Sequence, residues 1–180
     1  TGSAGVPEYT KALDFMKDFS KTQYIEVAKA QADAEEKKLK DLEKELSSLE
    51  NEKSRMEKSI ESGRSTIQSE NENITLMNSE LSTVTTSLQG QDTLLSTMEA
   101  GTARTELEKQ VKELDKRKKK SLSSIESSEK KIRRANDDID KATKAIPENE
   151  KMQLKVREQI AAQQAVYQQF AEKLKTIRAY

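Results

Sequence analysis

Two heptad registers, one on each side of Gly101, run in mirror order about that glycine. In the first half the a positions fall at Leu39, Leu46, Ile60, Ile67, Ile74, Leu81, Leu88 and Leu95, with d positions at Leu42, Leu49, Met56, Met77, Val84 and Met98. In the second half a falls at Val111, Ile125, Ile132, Ile139, Ile146, Ile160, Tyr167 and Leu174, and d at Leu107, Leu114, Ala135, Ala142, Val156, Phe170 and Ile177. Reversing the chain at Gly101 sets every a of one half opposite a d of the other, as a knobs-into-holes seam between antiparallel helices requires. The expected fold is all-α: a long antiparallel two-helix coiled-coil hairpin with its turn near Gly101. The competing fold is a continuous parallel coiled-coil dimer in which the change of frame is a skip.

The layers of the hairpin make chemical sense, because dense packing sets large side chains against small ones. Ile67 faces Ala135, Ile60 faces Ala142, Met56 faces Ile146, Leu46 faces Val156 and Leu42 faces Ile160. Nearer the chain ends the sizes swap, with Ala32 opposing Phe170 and Ala28 opposing Leu174, while Gly63 sits opposite Ile139. Polar layers interrupt the seam: Lys53 facing Asn149, Glu70 facing Ile132, Ile74 facing Ser128, Leu81 facing Ser121 and Val84 facing Lys118. Such layers lower stability and fix register, and lysines can reach out of a two-helix seam to water.

Charged residues make up 36% of the chain and aromatics 4%, too few apolar side chains for a large globular interior. The helical periodicity excludes disorder, and two long helices with a narrow seam satisfy both constraints. The expected organisation is a tag remnant or disordered segment over 1–6, a first helix over 7–98 opening at Pro7, a turn over 99–103, and a second helix over 104–180. Gly101 is expected to close the first helix in the left-handed conformation, with Thr102 as a candidate N-cap of the second. Pro147 removes a backbone hydrogen bond and is expected to kink or break that helix, which makes it the hinge candidate. The paired region would be a rod on the order of 110 Å long. Apolar residues outside the seam are scattered, so no continuous second seam is read and a monomeric hairpin is expected.

Catalytic chemistry finds no foothold. There is no histidine, no cysteine and no glycine-rich phosphate loop, and carboxylates on a solvated helix lack the burial that tunes a pKa. No enzymatic activity, cofactor or metal is expected.

Two surfaces remain as candidates. Lys116, Arg117, Lys118, Lys119 and Lys120, followed by Lys130, Lys131, Arg133 and Arg134, form a basic stretch opposite a Ser, Thr and Asn-rich segment that is expected to leave its charge uncancelled. It would suit an anionic surface, nucleic acid or membrane, although no aromatic residues interleave to stack on bases. At the base, Leu13, Phe15, Met16 and Phe19 extend beyond the last partner residue of the second arm and are docking candidates for another protein or for a weak homodimer.

In plan the hairpin resembles the antiparallel arms of chromosome-maintenance ATPases and the stalks of motor and secretion proteins, on heptad pattern alone, so no residue role is transferred. The rod shape and the absence of catalytic groups lead to the expectation of a structural and interaction protein, a rigid coiled-coil rod or arm serving as spacer or scaffold with partner contacts at tip and base.

Overall fold

The computed structural model describes residues 6–180. Two helices account for nearly all of them: α1, Val6–Leu95, and α2, Thr102–Ala179, packed against each other as a helical hairpin. The expected tag remnant lies outside the described residues except for Val6, where α1 already begins.

Each expected a and d position from Ala28 through Ile177 is buried or half-buried, including the polar ones, while the flanking positions are mostly exposed. This is the outcome of burying a narrow apolar stripe on each of two helices. The described residues divide into two compact units: α1 as far as Lys53 together with Pro147–Tyr180, and Ser54–Ile146.

In the unit that carries the chain ends, Ala28, Ala32, Leu49 and Val156 are buried. The small alanines lie at the layers where Leu174 and Phe170 are expected, so backbone approach and side-chain volume are balanced. Asn149 and Gln153 are also buried, and every polar group they carry is used. Asn149 Nδ2 donates to the Leu49 carbonyl at 3.0 Å, and Gln153 Nε2 donates to Asn149 Oδ1 at 2.7 Å. Arg157 in turn donates to Gln153 Oε1 at 3.3 Å and lies 3.6 Å from Glu50. Lys53, expected to face Asn149, instead swings its ammonium outward to Glu150 at 3.2 Å. This is the snorkelling available to a long cationic side chain.

In the other unit, Val84, Leu88, Ala135 and Ala142 are buried, with Val84 only 1% exposed. A buried valine contributes about 2 kcal/mol relative to an exposed one. At Gly63 the helices close tightly: a Cβ placed there would lie 2.7 Å from Ile139 Cγ1 and 3.3 Å from the Ala135 carbonyl oxygen. Buried Ser128 donates to Glu70 at 2.6 Å and accepts from Asn73 at 2.7 Å, and Asn73 also donates to Ser124 at 3.2 Å.

The turn departs from expectation. Helix α1 ends at Leu95, three residues before Met98, and no described glycine has positive φ, so Gly101 does not close it in the left-handed conformation. Gly101 instead stands at the N-cap of α2, its carbonyl accepting from Thr105 N at 3.1 Å, and Thr102 is already helical. The carbonyls at the end of α1 are satisfied locally, by Ser96 N to Asp92, Thr97 N to Leu94 and Met98 N to Leu95, and also from across the turn. Arg104 Nη1 donates to the oxygens of Leu95 at 3.2 Å and Met98 at 2.5 Å, and its Nε to Glu108 at 3.1 Å. A cation at a helix C-terminus also opposes the helix dipole. Arg104→Ala should therefore lower stability by about 1 kcal/mol, read as a shifted urea midpoint, whereas Glu106→Ala, outside this cap, should leave the midpoint nearly unchanged.

Helix α2 is not broken at Pro147, which lies inside it. Proline forfeits one hydrogen bond, to the Thr143 carbonyl, but Ile146 and Asn149 beside it remain held by the seam.

Candidate functional surfaces

The first surface is the flank of α1 near its N-terminus. Tyr9, Leu13, Phe15, Met16, Phe19 and Tyr24 are between 41% and 70% exposed, although a helix of this chain's charge has ample polar residues to present instead. The segment does not fold back to cover itself, because α1 is continuous from Val6. Phe15 and Phe19, one turn apart, stack with centroids 6.3 Å apart. A groove of about 830 Å³ opens between Leu13, Met16 and Tyr24 of α1 and Ile177 and Tyr180 of α2. Continuing the intramolecular frame into this segment gives Lys11, Asp14, Asp18 and Lys21. The seam therefore stops and the apolar residues pass to another face.

The second surface is the basic stretch, and here an expectation is corrected. Its charge is partly cancelled. Arg117 Nε donates to Glu80 at 3.0 Å, Lys131 lies 3.7 Å from Glu70, Lys116 3.3 Å from Glu113 and Lys130 3.7 Å from Glu126. Glu70, in the seam, and Glu80, next to seam residue Leu81, reach across to these cations of α2. Lys118 is half-buried in the seam, and Lys119, Lys120, Arg133 and Arg134 are exposed with no ion pair among the described residues. The continuous run 116–120 is spread around the helix, and only part of it offers free charge.

A third polar contact escaped sequence reasoning. Gln163 Nε2 donates both to the Glu35 carbonyl at 2.9 Å and to its carboxylate at 2.6 Å. That hydrogen bond, helped by Lys38 at 3.3 Å, holds the Glu35 carboxyl below its ordinary value of 4.5, against a partial desolvation that raises it. A carboxyl whose pKa is lowered by folding favours the folded state above its unfolded pKa and loses that contribution as pH falls through the folded one. Helicity melts should therefore show a drop in Tm below pH 4.5 that is smaller in Glu35→Gln than in the parent chain.

Among the described residues no cluster of acidic side chains could hold a metal ion, and no helix is long and apolar enough to cross a membrane. Comparison of the chain with protein-family models, with curated proteins and with solved structures gives no match.

Proposed function

We propose that this chain is a non-enzymatic interaction module, a helical-hairpin arm or scaffold that engages protein partners through the open flank of α1 and through the turn. The observation that supports this most is the set of large apolar side chains left exposed on α1, from Tyr9 to Phe19, beside an apolar groove. Contiguous exposed apolar surface on a soluble helix is costly unless something covers it. The polar layers at Asn149 and Ser128 hold the two helices in one register, which keeps the flank and the turn in fixed places within their own units. A photo-crosslinking residue substituted for Phe15, in the cells that make the protein, should give a discrete protein adduct, while the same residue at exposed Met152 should not. Equal adducts at both, or no adduct at Phe15 from a chain that also stays monomeric, would remove the reading.

The second reading is contact with an anionic surface. It is supported by Lys119, Lys120, Arg133 and Arg134, whose charges are exposed and unpaired among the described residues. Replacing these four by Gln should abolish salt-sensitive binding to anionic vesicles or to DNA with helicity unchanged, and undetectable binding by the parent chain would remove it.

A further inference from the structure

The open flank of α1 carries a heptad seam of its own. Tyr9, Leu13, Met16, Ser20, Gln23, Val27, Ala30 and Ala34 follow one another at alternating spacings of four and three, none is charged, and all are exposed. On a helix of 3.6 residues per turn this stripe is turned by roughly 150° from the positions that face α2. Its apolar signal in the sequence is weak, because half of its members are Ser, Gln or Ala.

We propose that the occupant of this stripe is a second copy of the chain, in which the two α1 segments pair antiparallel about a two-fold axis midway between Ser20 and Gln23. The proposal rests on the reading of this flank as an interaction surface and names its partner. The stripe runs from large side chains at one end to alanines at the other, so antiparallel pairing is self-complementary. Tyr9 meets the partner's Ala34, Leu13 the partner's Ala30, Met16 the partner's Val27, and Ser20 the partner's Gln23. The layers nearest the axis thus set a small hydroxyl against a longer amide that can hydrogen-bond to it. By symmetry each layer occurs twice, as an isologous interface requires. A parallel pairing in register would instead stack Tyr9 on Tyr9 and Ala34 on Ala34, overfilling one end and leaving the other empty.

Charge agrees with the same arrangement. The positions flanking an antiparallel seam would bring Lys17 against the partner's Tyr24, Phe19 against the partner's Glu26, Ala12 against the partner's Asp33, and Thr10 against the partner's Gln31. No like charges meet, and Lys17 lies over an aromatic face, a favourable partner for an ammonium. The contact extends over roughly 39 Å of helix. With Tyr9, Met16 and Val27 at 67%, 62% and 58% exposed, it would cover on the order of 700 Å² per partner, close to the ~800 Å² typical of a stable interface.

The chain has no cysteine, so the register can be tested by disulfide formation. Oxidising an equimolar mixture of a Leu13→Cys chain and an Ala30→Cys chain should give the mixed dimer, while neither variant alone should link. Self-linked Leu13→Cys chains would show a parallel pair and overturn the proposal. Met16→Glu should weaken self-association about tenfold or more in sedimentation with helicity unchanged, and Met16→Glu combined with Val27→Lys should restore it. A parent chain that stays monomeric at about 100 µM overturns the proposal. If a Phe15 photo-adduct to a different protein is nonetheless found, the flank is an interaction surface with another occupant; if neither is found, the broader reading falls with it.

Discussion

Gly63→Val should destabilise the hairpin by about 2 kcal/mol, and combining it with Ile139→Ala should cost less than the sum of the two single changes. In an open helix interior, replacing glycine by a residue with a Cβ gains up to about 1 kcal/mol from reduced backbone freedom. Here a Cβ would stand 2.7 Å from Ile139 Cγ1, 3.0 Å from Cδ1 and 3.3 Å from the Ala135 carbonyl oxygen. Ile139 can turn only partly, since it sits in the seam, and the Ala135 backbone can move only if the helices separate. Valine adds two further methyl groups to the same space. Truncating Ile139 removes the obstruction, so the double variant exchanges volume across one layer. Urea unfolding of the four chains measures the coupling, and equal midpoints for Gly63→Val and the parent would show that the helices do not close at this layer.

Asn149→Leu alone should cost about 2 kcal/mol, whereas Asn149→Leu with Gln153→Leu should be close to neutral. Both side chains are buried, at 3% and 5% exposure. Removing Asn149 leaves the Gln153 amide, which donates to Asn149 Oδ1 at 2.7 Å, buried without an acceptor. Replacing both by leucine removes the orphaned donor and adds apolar volume to the seam. What the double variant should lose is selectivity. The bond from Asn149 to the Leu49 carbonyl at 3.0 Å is made in one register only, so its absence should broaden the thermal transition and admit alternative pairings. Thermal melts and hydrogen exchange of single and double variants check both parts. A double variant less stable than the single would contradict the account.

The seam was legible in the sequence because its signal is repeated in every heptad, and the mirror relation about Gly101 placed Gly63 against Ile139 from spacing alone. Local features without such repetition were less legible. The turn is closed by Arg104, a residue of the following helix reaching back to Leu95 and Met98, so a reading that looked for a left-handed glycine at the end of α1 put Gly101 in the wrong role. Pro147 remains inside α2 because the loss of one backbone bond is small beside the side chains held on either side of it. Glu70 and Glu80 partly neutralise the basic stretch because reach across a seam depends on side-chain length, which a count of charges along one arm does not register. The proposed stripe from Tyr9 to Ala34 gives little signal in the sequence, because Ser20, Gln23 and Ala30 raise the hydropathy little.

The central claim is that one chain turns back on itself with Leu46 packed against Val156. Oxidative cross-linking of a Leu46→Cys, Val156→Cys double variant at low concentration, read by mass, tests it directly. The hairpin predicts a link within one chain, at the monomer mass, formed nearly completely and insensitive to dilution. Links found only between chains, fading on dilution, would contradict it and favour a continuous dimeric coiled coil.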